Sequence, residues 1–236
     1  MSLEDGKFTL PVFWSMRSPY CYIALDRCIQ YQRKYNLTLE LRPVWPIAIR
    51  DSSWFQAAKD MKYRLPYQDV DSFRCAAFHG VQMRYPVPDP VTQEAADDSP
   101  YGRILPFEEQ PDIQFLTRTA CAAAEMGKGW EYLNMVMRLV WDGETRPWNQ
   151  DNYKWVKRAI DQAGIDSETL VKDVTNNPQK WDDIASKNNE DQADNTCHHT
   201  GVPLFLFKGE PFFGQDRMDV LMFRLKQHGL TERAKI

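Results

Sequence analysis

The sequence predicts an α/β fold in which a small mixed domain is interrupted by a long helical block. Two observations predict it: a strand–helix–strand pattern opens the chain, and a pair of strands followed by a helix closes it. Between these two parts, from Trp45 to about Asn195, the pattern is helical. We therefore predict one α/β domain from residues 1–46 and 196–236, with residues 47–195 forming an inserted helical domain.

The opening part reads as a β-α-β unit. Residues 7–14 read as a strand, in which Pro11 favours an edge or irregular position because proline lacks the donor that a central strand needs. A polar break at Ser15–Ser18 precedes a helix that runs to about Tyr35, and apolar residues alternate with polar ones over 37–43. The two strands should be parallel and joined by a right-handed crossover.

The middle part reads as a series of helices with one long interruption. The helical segments lie near 54–79, 112–126, 130–142, 149–163, 166–175 and 178–194. Gly127 and Gly164 follow two of them and are predicted to end those helices. The stretch 85–111 is rich in proline and acidic residues and too long for an ordinary connection, so it is either a functional covering loop or partly mobile.

The closing part returns to β structure. Residues 202–207 read as a buried strand, and a short turn leads into a returning strand at Pro211–Phe213. A final helix opens at Gly214–Arg217. The order β-α-β, helical block, β-β-α is the thioredoxin topology with an insertion.

Composition limits the classes of partner. The chain has 236 residues, of which 43% are hydrophobic and 26% charged, with a net charge of -4. These values are normal for a globular protein and give no reason to expect nucleic acid or an anionic membrane. No apolar run approaches the roughly 20 residues that span a bilayer. The start, MSLEDGKFTLPVFW, has no secretory signal pattern, which predicts a cytoplasmic protein.

The five cysteines form no C-x-x-C pair and no Cys/His set with metal-ligand spacing. This spacing predicts no metal site, and the odd number of cysteines predicts reduced thiols rather than a disulfide framework. Cys28, Cys75 and Cys121 fall in apolar helical patterns and are expected to be buried as small hydrophobic residues.

The first candidate site is the turn Arg17–Cys21 between the first strand and the first helix. The backbone N–H groups and the helix dipole at such a place stabilise an anion such as a thiolate. Thioredoxin-like oxidoreductases carry C-x-x-C in this turn, whereas this chain reads S-P-Y-C. Ser18 cannot form a disulfide. Its hydroxyl could donate a hydrogen bond to a thiolate brought by a ligand, or it could simply cap the helix.

Two further candidates lie in the closing part. Pro203 begins a buried strand, which is unusual, and a cis Val202–Pro203 bond would explain it and leave the Val202 backbone free to pair with a peptide-like ligand. Asp216, at the start of the last helix, could cap that helix, receive an ammonium group, or do both.

The motifs together resemble one known family. The resemblance rests on three motifs: S-P-Y at Ser18, G-V-P at Pro203, and F-x-G-Q-D-R-x-D-x-L from Phe212. Two helical stretches add to them: Arg64-x-x-Tyr67-x-x-x-Asp71-x-x-Arg74, and Thr117-Arg118-Thr119-Ala120 followed by Ala122-Ala123. Over nearly its whole length the chain resembles the family of 2-hydroxychromene-2-carboxylate isomerases and kappa-class glutathione transferases, in the DsbA-like branch of thioredoxin folds.

This resemblance implies glutathione as the cofactor. Ser18 would contact the glutathione sulfur and keep it as thiolate, and Val202 ahead of cis Pro203 would pair with the glutathione backbone. Asp216 and Arg217 would hold the γ-glutamyl end. Lys62 or Arg64, from the insertion, would meet the glycine carboxylate.

The implied activity is that of a glutathione-dependent isomerase, acting by reversible thiolate addition to a conjugated ketoacid or a similar small electrophile, in a homodimer. One alternative is a kappa-like transferase or peroxidase. Another is a DsbA-like disulfide oxidoreductase that uses Cys21 by mixed disulfides. A last one is a binding protein without catalysis.

The chain departs from the family pattern in two places, at Arg50–Phe55 and at Cys197–Thr200. The second stretch brings two histidines, His198 and His199, close to the predicted cis-proline. They would act there as acid–base groups or substrate ligands, or lie in solvent as loop residues.

Overall fold

The structure is a computed structural model that describes residues 6–50, 58–96, 99–196 and 198–234; within these, the side chains of residues 58–65, 96 and 99–101 are not described. The described strands are β1 (Phe8–Trp14), β2 (Leu37–Pro43), β3 (Gln93–Ala96), β4 (Ser99–Ile104), β5 (Leu204–Phe207) and β6 (Glu210–Phe213).

The described helices fall mostly where the sequence predicts them. They are α1 (Pro19–Lys34), α2 (Ile47–Arg50), α3 (Ala58–Phe78), α4 (Pro111–Glu125), α5 (Gly129–Tyr132), α6 (Arg138–Trp141), α7 (Gln150–Gln162), α8 (Ser167–Asn176), α9 (Pro178–Asn195) and α10 (Met218–Gln227). A π-helical turn, Leu133–Met137, separates α5 from α6, so the single helix predicted for 130–142 is interrupted. Gly127 and Gly164 follow α4 and α7 with positive φ values of 69° and 75°, which confirms that they end those helices.

The strands from the two ends of the chain form one four-stranded sheet with the order β2-β1-β5-β6. β1 and β2 are parallel, as predicted, whereas β5 pairs antiparallel with both β1 and β6. The expected β-α-β unit and β-hairpin are thereby confirmed. The division into residues 1–46 with 196–236 and residues 47–195 stays a prediction.

The edge position predicted for Pro11 is wrong, because β1 is a central strand. β5 pairs only with Val12 and Phe13 of β1. The pairing with β5 therefore starts just after Pro11. On the β5 side of β1, no described strand pairs at Pro11, so its missing N–H costs no hydrogen bond between strands.

The stretch 85–111 is more regular than predicted. Strands β3 and β4 form an antiparallel hairpin within it, with a register shift between Glu94 and Ala96. Opposite this shift Gly102 has a φ of 72°, and a Cβ atom there would lie 2.5 Å from the Glu94 carbonyl oxygen, so only glycine fits. At the base of the hairpin the buried Gln110 side chain accepts from the Thr92 N–H at 2.7 Å and donates to the carbonyl oxygens of Thr92 and Leu105 at 3.0 and 2.8 Å.

The insertion packs directly beneath the end of β1. Trp141 is 1% exposed and donates its Nε1–H to the Met16 carbonyl at 2.9 Å, while its ring stacks on Tyr22 of α1. Trp14 donates to the Met137 sulfur at 3.3 Å. The turn that follows β1 is therefore held by apolar and polar contacts with the insertion. Within the described residues, no helix is long and apolar enough to cross a membrane.

Candidate active site

Ser18 caps helix α1, as one of the two predicted roles requires. Its backbone is extended (φ −86°, ψ 121°), and its Oγ accepts the Cys21 N–H at 3.3 Å while Pro19 takes the first helical position. Among the described residues, the hydroxyl proton has the Val202 carbonyl oxygen as an acceptor at 3.5 Å, which is a weak hydrogen bond, and the buried Cys21 thiol is its other neighbour. Since a hydroxyl accepts and donates at the same time, the cap leaves the Ser18 proton available to a ligand.

The predicted cis bond between Val202 and Pro203 is confirmed, and it lies beside Ser18. The Pro203 carbonyl accepts the Gly214 N–H at 2.9 Å, so this loop is joined to the start of the G-Q-D-R segment. The structure therefore brings Ser18 close to Val202, Pro203 and the turn that begins at Gly214, although Ser18 lies near the opposite end of the chain.

Cys21, three residues after Ser18, is fully buried. Burial raises the pKa of its thiol to about 12, although hydrogen bonds from the Ser15 backbone and the Ser18 side chain act in the opposite direction. The thiol is therefore protonated at neutral pH and shielded from solvent. Cys28 and Cys121 are buried as predicted, whereas Cys75 is partly exposed.

Helix α3 meets the serine turn through Asp71. Its Oδ2 accepts the Tyr20 hydroxyl at 2.7 Å, and its Oδ1 accepts the Tyr67 hydroxyl at 3.3 Å. The Cys75 thiol lies 3.7 Å from the same carboxylate. Burial and the Asp71 hydrogen bond raise the pKa of Tyr20, so this phenol stays neutral. The spacing Tyr67-x-x-x-Asp71, which places both residues on one helix face, is the sequence signal for this cluster.

Lys62 and Arg64, the predicted contacts of the glycine carboxylate, belong to α3 by their backbone. Their side chains lie outside the described part of the structure, as do Asp51–Phe55 and Cys197.

The segment Gly214–Arg217 forms a tight turn ahead of α10. Gly214 has a φ of 101°, and a Cβ atom there would lie 2.4 Å from Asp216 Oδ1. Gly214 and Arg217 hold the N-cap positions of this turn and of α10, and among the described contacts Asp216 caps neither, so the capping alternative for Asp216 is wrong. Its carboxylate instead pairs with Arg217 at 2.8 Å, and both side chains are more than half exposed.

Gln215 of this turn is buried, and its side chain is occupied by protein partners. Arg27 of α1 donates from Nη2 to both the carbonyl oxygen and Oε1 of Gln215, each at 2.6 Å. The His79 Nε2 atom lies 2.9 Å from the same Oε1. Sequence analysis missed Arg27 and His79, since neither belongs to a recognisable motif.

The two histidines differ in their surroundings. His198 is exposed, with a φ of 60°. His199 accepts the Gly201 N–H on Nδ1 at 3.0 Å, and its ring packs on Phe213 with centroids 4.1 Å apart. Partial burial lowers the pKa of His199. His199 thus supports the loop that leads into cis Pro203, which neither of its predicted roles anticipated.

Comparison with known proteins gives both a family and structural relatives. The family model of the DsbA-like thioredoxin domain matches residues 9–226. The structure of a 2-hydroxychromene-2-carboxylate isomerase aligns with a TM-score of 0.66 at 16% identity, covering 93% of this chain and 95% of that one. A probable DsbA oxidoreductase from Streptomyces coelicolor aligns with a TM-score of 0.58 at 18% identity, covering 97% and 93%. No curated protein matches significantly by sequence.

The predicted fold is confirmed by these matches: an α/β, thioredoxin-like fold with a large helical insertion of the DsbA-like type. At these identities the structural likeness establishes the fold, and the chemistry has to be argued from the side chains.

Proposed function

The chain belongs to the family of DsbA-like thioredoxin domains, and we propose that it is a glutathione-dependent isomerase acting on a small electrophile at Ser18. The observation that carries this proposal is the pairing of a helix-capping serine with cis Pro203, where the hydroxyl proton of Ser18 meets no strong acceptor in the described part of the chain. A disulfide-forming pair of cysteines is absent from this turn, because Ser18 stands at the first position.

The residues present fit glutathione. Ser18 would donate a hydrogen bond to the sulfur, and the N-terminal end of α1 adds the favourable field of its dipole. The Val202 backbone would pair with the peptide part of the cofactor. Asp216 and Arg217, whose side chains are both more than half exposed, would hold the γ-glutamyl end. Bound glutathione would supply a nucleophilic thiol that adds reversibly to a conjugated electrophile.

The chain's own residues have three tasks in this scheme. Ser18 stabilises a negative charge on sulfur without being able to form a disulfide. Tyr20, held by Asp71, presents a neutral phenol two residues away from Ser18. Trp141, stacked on Tyr22, donates to the Met16 carbonyl and so holds the turn that leads to Ser18.

The disulfide-oxidoreductase alternative is disfavoured by Cys21. A thiol that is buried and has a pKa raised to about 12 is neither accessible nor ionised at neutral pH. The transferase alternative uses the same serine and is distinguished by its product.

Titration of the purified protein with glutathione, followed by the ultraviolet absorbance of the thiolate, tests the proposal. We expect binding at millimolar glutathione or below, with a lowered thiol pKa that is lost in Ser18→Ala and kept in Ser18→Thr. No binding would refute the proposal. With an α,β-unsaturated ketone as probe, an isomerised product indicates an isomerase, whereas a stable thioether indicates a transferase.

A further inference from the structure

Side chains from two helices, α2 and α9, hold the loop that leads into cis Pro203. Gln192 on α9 is fully buried and donates from Nε2 to the Gly201 carbonyl oxygen at 2.8 Å. Arg50, the last residue of α2, donates from Nη2 to the Thr200 carbonyl oxygen and from Nη1 to Gln192 Oε1 at 3.3 Å. The two side chains therefore form one hydrogen-bonded unit that binds two consecutive carbonyl groups of the loop.

This unit joins the two places where the chain departs from the family pattern. Arg50 begins the first of these stretches and Thr200 ends the second, and a hydrogen bond connects them. A guanidinium is planar and directs several N–H groups at fixed angles, which a lysine ammonium does not do. Arg50 therefore fixes the Thr200 carbonyl relative to α9.

The carbonyl oxygen of Val202 is held less firmly than those on either side of it. The Gly201 and Pro203 carbonyls accept hydrogen bonds of 2.8 and 2.9 Å. Among the described contacts, the Val202 carbonyl accepts from Ser18 Oγ at 3.5 Å, a weak bond. When Ser18 turns its proton to a ligand thiolate, the Val202 carbonyl loses this donor and needs an N–H group in its place.

We propose that Arg50 and Gln192 are positioning residues that aim the Val202 carbonyl at the N–H of the amide between the γ-glutamyl and cysteinyl groups of glutathione. This inference rests on the proposed function. In this scheme neither side chain touches the cofactor, and both act through the carbonyls of Thr200 and Gly201. Because the loop is ordered in advance, less conformational entropy is lost when the amide binds.

Calorimetric titration with two ligands tests this role. One ligand is glutathione, and the other is its ester analogue, in which an oxygen atom replaces the cysteinyl N–H. We expect the unaltered protein to bind glutathione about 3- to 10-fold more tightly than the ester analogue, as the net contribution of one hydrogen bond implies. In Arg50→Met, which removes the donors, the two ligands should bind about equally, because glutathione loses affinity and the ester analogue does not.

Three further variants sharpen the test. Arg50→Lys restores one donor and should recover part of the preference for glutathione. Gln192→Met removes the donor to Gly201 and should reduce the preference as Arg50→Met does. Arg42→Met is the matched control, since Arg42 pairs with Asp191, the neighbour of Gln192 on α9, and no described contact joins it to the loop. It should leave the preference unchanged. Thermal unfolding verifies that each variant is folded.

The outcomes separate this inference from the proposed function. If the unaltered protein binds neither ligand, both proposals fail. If it binds the two ligands equally, the Val202 carbonyl does not receive the cysteinyl N–H, and the inference fails alone. If Arg50→Met keeps the preference, or weakens both ligands to the same extent, or if Arg42→Met abolishes the preference as well, Arg50 has only a structural role and the proposed function is untouched.

Discussion

The guanidinium of Arg17 and the carboxylate of Asp89 form a two-point ion pair, with Nε–Oδ1 and Nη2–Oδ2 distances of 2.8 and 2.7 Å. Arg17 directly precedes Ser18, and Asp89 belongs to the long connection after α3. Asp89 also accepts the Val91 N–H at 2.9 Å. The Asp89 carboxylate therefore stabilises its own loop and links that loop to the turn that contains Ser18.

Replacing this carboxylate should loosen both segments. In Asp89→Asn we expect a loss of about 1 kcal/mol in the free energy of unfolding, because the pair is partly exposed to solvent. Hydrogen–deuterium exchange should become faster at residues 85–93 and 15–18. Glu94→Gln, which removes an exposed pair with Arg103 in the hairpin, is the matched control and should change neither measurement. Unchanged exchange at 15–18 in Asp89→Asn would show that the ion pair does not stabilise the serine turn.

Alkylation should distinguish buried from accessible thiols. Because Cys21 and Cys28 are fully buried and burial raises the pKa of Cys21 to about 12, iodoacetamide at pH 8 should leave both unmodified in the folded protein. Peptide mass spectrometry before and after unfolding measures this. Cys21→Ala should also retain glutathione binding. Rapid modification of Cys21 in the folded protein would revive the disulfide-oxidoreductase alternative.

Acid should weaken the cis-proline loop through His199. Its pKa is lowered in the folded protein, so the unfolded chain binds its proton first as the pH falls. The contribution of neutral His199 to the free energy of unfolding is therefore complete above its pKa in the unfolded chain, about 6.5. It is lost as the pH falls towards the lower pKa of His199 in the folded protein. Protonation of Nδ1 also removes the acceptor for the Gly201 N–H.

Glutathione affinity should accordingly fall as the pH drops below about 6.5. His199→Asn, which can retain an acceptor without titrating, should flatten this pH dependence. His198→Asn is the control at an exposed neighbour and should preserve it. The same acid dependence in both variants would assign the effect to another group.

The capping role of Ser18 and its proposed role in binding the thiolate can be separated by introducing a negative charge at this position. Ser18→Ala should cost about 1 kcal/mol of unfolding free energy by removing the cap. Ser18→Asp keeps the capping acceptor and should be about as stable as the parent, yet it places a negative charge where the thiolate is proposed to lie. We expect glutathione binding to be weaker in Ser18→Asp than in Ser18→Ala. If Ser18→Asp binds at least as well as Ser18→Ala, the serine acts only as a cap.

Local patterns were sufficient to predict the strand and helix order, whereas the cis bond at Pro203 and the meeting of Ser18 with Val202 were implied by the family resemblance. They were insufficient where one side chain finds a partner far along the chain. Arg17 and Asp89 are 72 residues apart, and Arg27 and Gln215 are 188 apart. Neither pair leaves a periodic trace in the sequence, because each depends on how whole helices and loops pack.

The hairpin β3–β4 was missed for a related reason. Its strands contain few β-branched or aromatic residues, so strand propensity is low. The buried amide of Gln110 ties its two ends together instead, and that contact lies outside the strands themselves.

Gln110 also makes the hairpin a separable module. Since its amide joins the entry at Thr92 to the exit at Leu105, the path of the chain into and out of the hairpin is fixed independently of what lies between. The segment 93–104 could therefore be lengthened, shortened or replaced by a foreign loop while the ion pair between Asp89 and Arg17 is kept. For an evolving protein, this is a place to vary a surface without moving the serine; for an experimenter, it is a place to insert a label.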